Sequence, residues 1–129
     1  MKFICFGYAD PSFFASTPEK ELHAMQDRCF EYDDQLRSAG HFTGGHAVQP
    51  PSAGMTLRYE NGKVVATKEP VTDTKEQIGG ILILEARDLN HAVELISKHP
   101  GVTFGPWEIR PAADLDEMIR ASEIRRSKA

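Results

Sequence analysis

The chain has 129 residues, a net charge of −4, 40% hydrophobic and 26% charged side chains. That is the size of one domain, able to bury roughly two-thirds of its unfolded surface with no disulfide or metal to hold it. An acidic balance offers nucleic-acid phosphates little, and no apolar run approaches a membrane span, so neither partner is expected. The only basic cluster, Arg125-Arg126-Ser127-Lys128, falls where a helix C-terminus favours cations.

Residues 3–8, Phe-Ile-Cys-Phe-Gly-Tyr, read as a first strand stopped by Asp10-Pro11. They follow Met1-Lys2 directly, too short a run for a secretory h-region, and a cytoplasmic location is the expectation. Ser16-Thr17-Pro18-Glu19 gives a helix start, with Ser16 and Glu19 spaced as a capping box. Leu22, Met25, Cys29, Tyr32, Leu36 and Ala39 then recur at steps of three and four, the stripe of a helix packed on a sheet, and Gly40 ends it. Beside that stripe run His23, Gln26, Phe30, Asp33 and Arg37, which either line a groove where the helix leaves the sheet or form a solvated face.

Residues 41–48 make a second strand, with a bulge or bend at Gly44-Gly45. Residues 56–60 and 63–67 flank Asn61-Gly62, a two-residue hairpin signal. Residues 78–86 hold the run Ile81-Leu82-Ile83-Leu84 and read as the central strand. Asp88 caps a second helix carrying Leu89, Ala92, Val93 and Ile96, which His99-Pro100-Gly101 breaks. A last core strand is expected over 103–110, and a polar helix over 114–125.

This order is β-α-β, hairpin, β-α-β, tail helix. It predicts an α+β, ferredoxin-like split βαβ sheet with an inserted β-hairpin and both helices on one face. The far face then needs a cover, and a second copy of the same sheet supplies it, giving a homodimer. Residues 1–111 form the core domain and 112–129 a helical extension.

The sequence resembles the YCII-related (DGPF-domain) family of the dimeric α+β barrel superfamily. The resemblance rests on Leu36-Arg37-Ser38-Ala39-Gly40, Gly44-Gly45-His46-Ala47-Val48-Gln49-Pro50, Thr74-Lys75-Glu76-Gln77-Ile78-Gly79-Gly80, Glu85-Ala86-Arg87-Asp88-Leu89 and Trp107-Glu108-Ile109-Arg110-Pro111. It implies a dimeric α/β barrel, and relatives with accessory or regulatory roles or with no assigned reaction. The Asp-Gly-Pro-Phe tetrapeptide falls on Lys68-Glu69-Pro70-Val71, where only Pro70 remains: a chemical task of its Asp is lost here, whereas a turn keeps its essential residue. The His–Asp pair suggested for stand-alone relatives falls near Cys29 and on His99, so it does not transfer in kind.

Residues with chemical potential remain. His99 follows a helix and is either a helix cap or an acid–base group, with Glu108 or Asp10 as its carboxylate. His41 and His46 share a strand, and a bulge at the paired glycines would bring them together. Asp73, Lys75, Glu76 and Gln77 precede the central strand and either position a ligand or fix the strand entry. Glu85 ends an apolar strand and is expected to pair with Arg87 or Arg110. Trp107, Phe104, Phe42 and Tyr59 stack on a flat ligand or fill a core.

The candidates are therefore His99, His46 and Asp10 for catalysis, and His23, Asp73, Lys75, Glu76, Trp107 and Glu108 for ligand contact. No metal or cofactor is expected, because no two-Cys or HExxH spacing exists. Three functions fit: a small-molecule-binding homodimer, a cofactor-independent enzyme working in the sheet–helix cleft, and a protein-interaction module.

Overall fold

The computed structural model describes residues 1–128. Four strands form one antiparallel sheet in the order β2-β5-β1-β6: Lys2–Ala9 (β1), Phe42–Ala47 (β2), Gln77–Glu85 (β5) and Trp107–Pro111 (β6). The helices Glu19–Ser38 (α2) and Leu89–Ser97 (α3) connect them as two split βαβ units. This is the ferredoxin-like sheet that the element order predicts. Thr56–Glu60 (β3) and Lys63–Thr67 (β4) form a separate hairpin across Asn61 and Gly62, whose φ values of 51° and 78° are those of a tight two-residue turn.

The central pairing sets the core. Phe3 stands opposite Leu84 and Cys5 opposite Leu82 on β1 and β5, and all four are buried with Leu36 of α2 and Ala92 and Ile96 of α3. Alternation sends Ile4, Phe6, Tyr8, Ile81 and Ile83 to the other face, where they are half-buried. The polar helix Leu115–Ser127 (α4), capped by Asp114, has no buried residue.

Local chemistry departs from the sequence expectation in four places. Asp10 does not merely end β1: its carboxylate accepts from the Ser12 amide and starts a short helix, Pro11–Ser16 (α1). Ser16 consequently bonds back to the Phe13 carbonyl, so no capping box forms and α2 begins after Pro18 with no side-chain cap. The chain from Pro100 to Thr103 coils into a 3-10 turn, which delays β6 to Trp107. In β2 the register shifts between Phe42 and Gly44, a bulge at Thr43 just before the paired glycines.

Trp107 lies opposite Gly7 in register. A Cβ at Gly7 would stand 2.8 Å from the indole, so the missing side chain is what lets the ring lie on the helix-facing side of the sheet. Cys5, wholly buried beneath the helices, has its thiol pushed up to about 11 by desolvation. The unfolded thiol ionises first as pH rises, so this group favours the folded state less from about pH 9 upward and the loss is complete near pH 11. Chemical denaturation between pH 8 and 11 is expected to show a stability loss to which Cys5 contributes up to about 2 kcal/mol, and Cys5→Val is expected to remove that share.

Candidate functional site

Over its last turn α2 packs closely: Leu36 is buried. Toward its N-terminus the helix stands off the sheet. Leu22, Met25 and Cys29, on the same stripe, are only half-buried and line a cleft of about 720 Å³ between α2 and the strands. Gln26, Phe30, Asp33 and Arg37 of the neighbouring stripe line it too, so these positions follow the groove reading of the sequence. His23 does not. It is exposed and lies 3.6 Å from Glu19.

At the inner end of the cleft sits His99, 4% exposed. The residue begins the 3-10 turn, and its Nδ1 accepts the Gly101 amide at 2.9 Å. A backbone N–H can only donate, so the proton of the neutral ring is on Nε2. That N–H donates to Asp33 Oδ1 at 2.8 Å. Trp107 packs against the imidazole with ring centroids 5.1 Å apart, and Tyr32 meets it edge-on at 5.5 Å. The Tyr32 hydroxyl donates to the Leu95 carbonyl and so ties α2 to α3 around the pair. Gly101 is required here: a Cβ would lie 2.9 Å from His99 Nδ1 and 3.0 Å from the indole.

Asp33, which the sequence places on the groove-or-solvated stripe without singling it out, is the carboxylate that meets His99. Its carboxylate is 18% exposed. Oδ1 is taken by His99, and among the described residues Oδ2 accepts no bond. The neighbouring Asp34 turns instead to Arg37, 2.7 Å away, and the Arg37 guanidinium lies 4.4 Å above the Phe42 ring. Cys29, one turn before Asp33, has its thiol pushed up by burial and then by the Asp33 charge, so it stays protonated and behaves as wall.

Of the nine residues singled out by sequence, His99, His46 and Trp107 line this cleft. His46 stands opposite Ile81 in β2 and is exposed at the rim. Neither carboxylate expected for His99 reaches it. Glu108 faces the other side of the sheet, in register with Phe6 and 3.0 Å from Arg110. Asp10 caps α1, where the Ser12 hydroxyl and amide hold it below the usual carboxylate range. Asp10 joins Lys75, 3.7 Å away, and Glu76 in a separate shallow depression beside Phe13 and Phe104. Asp73 is exposed and lines neither. His41 does not meet His46: its Nδ1 lies 2.9 Å from the Glu85 carbonyl, and its ring packs on His91. The Glu85 carboxylate is 3.5 Å from the Met1 amine and pairs with neither Arg87 nor Arg110. Among the described residues no group of three or more His, Cys, Asp or Glu side chains is placed to hold a metal ion, and no helix is long and apolar enough to cross a membrane.

The fold is a split βαβ sheet, and its sheet–helix cleft holds a carboxylate–imidazole pair. The YCII-related domain model matches residues 1–116, and the chain belongs to that family. It is similar to an uncharacterized protein, R00369, of Rhizobium meliloti (strain 1021), with 26% identity over 96 residues, 73% of this chain and 72% of that one. Among solved structures it is similar to the 5-chloro-2-hydroxyhydroquinone dehydrochlorinase of Burkholderia phenoliruptrix AC1100 in complex with 2,5-dihydroxybenzoquinone. That match has 18% identity and a TM-score of 0.44, over 88% of this chain and 94% of that one.

The tautomer has a direct check. In ¹⁵N–¹H correlation spectra the His99 ring is expected to show a protonated, slowly exchanging Nε2 and an unprotonated Nδ1. Gly101→Ala, which crowds that nitrogen, is expected to speed the exchange. A proton found on Nδ1 would contradict the assignment.

Proposed function

We propose that the chain is a small-molecule-binding homodimer whose ligand lies in the cleft between α2 and the sheet. The observation that carries this is a carboxylate, Asp33, held by His99 inside a cavity whose other walls are mainly aromatic and aliphatic. Sites for small organic molecules combine apolar walls with a few convergent polar groups in this way. The ligand's body lies on Trp107, Phe42 and Phe30, and a hydrogen-bond donor meets Asp33. A second reading, a cofactor-independent acid–base enzyme in the same cleft, is favoured by the same pair, since a carboxylate oriented by an imidazole is suited to moving protons.

The dimer is supported by the opposite face of the sheet. Ile4, Phe6, Tyr8, Ile81 and Ile83 form one apolar surface there, and no residue of α4 is fully buried. A second copy of the sheet, related by a two-fold axis, is a self-complementary cover for it.

Trp107 is the single tryptophan and forms part of the cleft wall, so its fluorescence reports occupancy. Titration with 4-nitrophenol is expected to quench it saturably, and Cys29→Phe, which fills the cleft, to weaken that binding about tenfold or more. Linear quenching indifferent to Cys29→Phe would remove the binding site. Sedimentation at micromolar concentration is expected to give twice the chain mass, and Phe6→Glu the single mass. A wild-type monomer under those conditions would remove the dimer.

A further inference from the structure

We propose that the reactive atom of the cleft is Asp33 Oδ2, a proton acceptor toward a planar carbon acid, and that His99 is a positioning residue that takes up no proton in the step. This rests on the cleft being the ligand site.

The argument starts from the imidazole. Both of its nitrogens are occupied: Nδ1 by the Gly101 amide and Nε2 by Asp33. A proton added at Nδ1 would face the Gly101 N–H, donor against donor, on a ring that is only 5% exposed. His99 therefore has no free lone pair to turn toward a ligand. What it offers is a single N–H that pins one carboxylate oxygen and turns the carboxylate in the cavity. The remaining oxygen of Asp33, with no protein partner among the described residues, is the basic atom on the cleft side of the pair. His46 stands outside the buried pair. It is exposed at the rim, and among the described residues no carboxylate pairs with it.

The rest of the lining indicates the substrate class. Asp33 and Arg37 are four residues apart on α2 and so share a face, about 6 Å apart along the axis. Arg37 is the only lysine or arginine among the residues that line the cleft; its guanidinium stands 4.4 Å above the Phe42 ring and is paired with Asp34 at 2.7 Å. Phe30, Phe42 and Trp107 supply aromatic faces to the same cleft. A molecule seated here places a C–H bond at Asp33 and has a flat conjugated body. Its developing negative charge falls toward Arg37. The C–H bond breaks as the Asp33 O–H bond forms. The electron pair stays on the substrate, delocalised onto an oxygen or nitrogen near the guanidinium. The carboxyl proton then passes to water or back to another atom of the same molecule. The step needs no oxidant, reductant or second substrate.

The test uses 5-nitrobenzisoxazole, a flat carbon acid. Removing its one acidic C–H proton breaks the ring N–O bond and forms a nitrile, releasing coloured 2-cyano-4-nitrophenolate. The expected result is saturable turnover by the wild type, lost about 100-fold in Asp33→Asn while the probe still quenches Trp107. His99→Gln is expected to lower kcat with KM held within about twofold, and wild-type turnover to stay level through the imidazole range, about pH 6–7. Arg37→Gln lowers kcat in the same assay. Where Asp33→Asn does not fold, the level pH profile, together with loss of turnover in Cys29→Phe and competition by 4-nitrophenol, carries the proposal on soluble protein. Undiminished turnover in Asp33→Asn, or a step in the imidazole range that His99→Gln abolishes, would overturn it and make His99 or a group outside the cleft the base. Quenching of Trp107 without turnover overturns the proton-acceptor role and leaves the binding site standing. Neither quenching nor turnover removes both.

Discussion

An imidazole closed off from water must find a partner for each ring nitrogen or leave a buried polar group unmet, at a cost of about 1–3 kcal/mol. His99 meets that demand with the Gly101 amide on one side and Asp33 on the other. Each bond fixes more than the ring. The Gly101 bond holds the 3-10 turn that delays β6, and so places Trp107 at the start of that strand. The Asp33 bond spans 66 residues and anchors the middle of α2 to the end of the α3 connection. The indole of β6 and the neighbouring Tyr32 and Asp33 of α2 are thus gathered around a single side chain that belongs to neither element.

The same constraint explains why the two sides of the sheet behave differently. On the helix side the requirement for a closed, hydrogen-bonded centre selects Gly7 and Gly101, because any Cβ there would meet the indole or the imidazole. On the outer side no such centre exists. Isoleucine and aromatic side chains simply alternate out of β1 and β5, and the polar residues among them, Glu108 and Arg110, pair with each other.

The topology was legible in the sequence because its signals are local. The apolar run at 81–84, the Asn61-Gly62 turn and the cap at Asp88 each act within a few residues. The misreadings arose where two local signals compete. Asp10 carries both a strand stop and a helix cap, and the cap won, producing α1. Ser16 fits a capping box, but with α1 in place its hydroxyl is already used. His99 stood out from its position after a helix, yet its partner could not be read from spacing. Glu108, adjacent to Trp107 in sequence, is sent to the opposite face by the strand's alternation. The helical stripe puts Asp33 at the groove, but its pairing with His99 is invisible to any local rule, since only the closed fold brings the two together. The family resemblance points to the same two places in the fold, Cys29 and His99. In this chain the imidazole comes from the second place and the carboxylate from α2, one turn beyond the first.

An apolar helical stripe is ordinarily evidence of core, and for Leu36 that holds. For Leu22, Met25 and Cys29 it does not, because the surface they face is built from small residues. Gly45, Gly79 and Gly80 line the same cleft, and a side chain at Gly45 would meet the Ile81 carbonyl and the Phe42 ring, each at 3.1 Å. The bulged strand end therefore cannot fill the space that α2 leaves. Hydrophobic residues that point inward at glycine enclose a volume instead of packing into it. The apolar stripe of α2 and the paired glycines, which sequence analysis treats as separate signals of helix and bulge, together mark the two walls of one cavity.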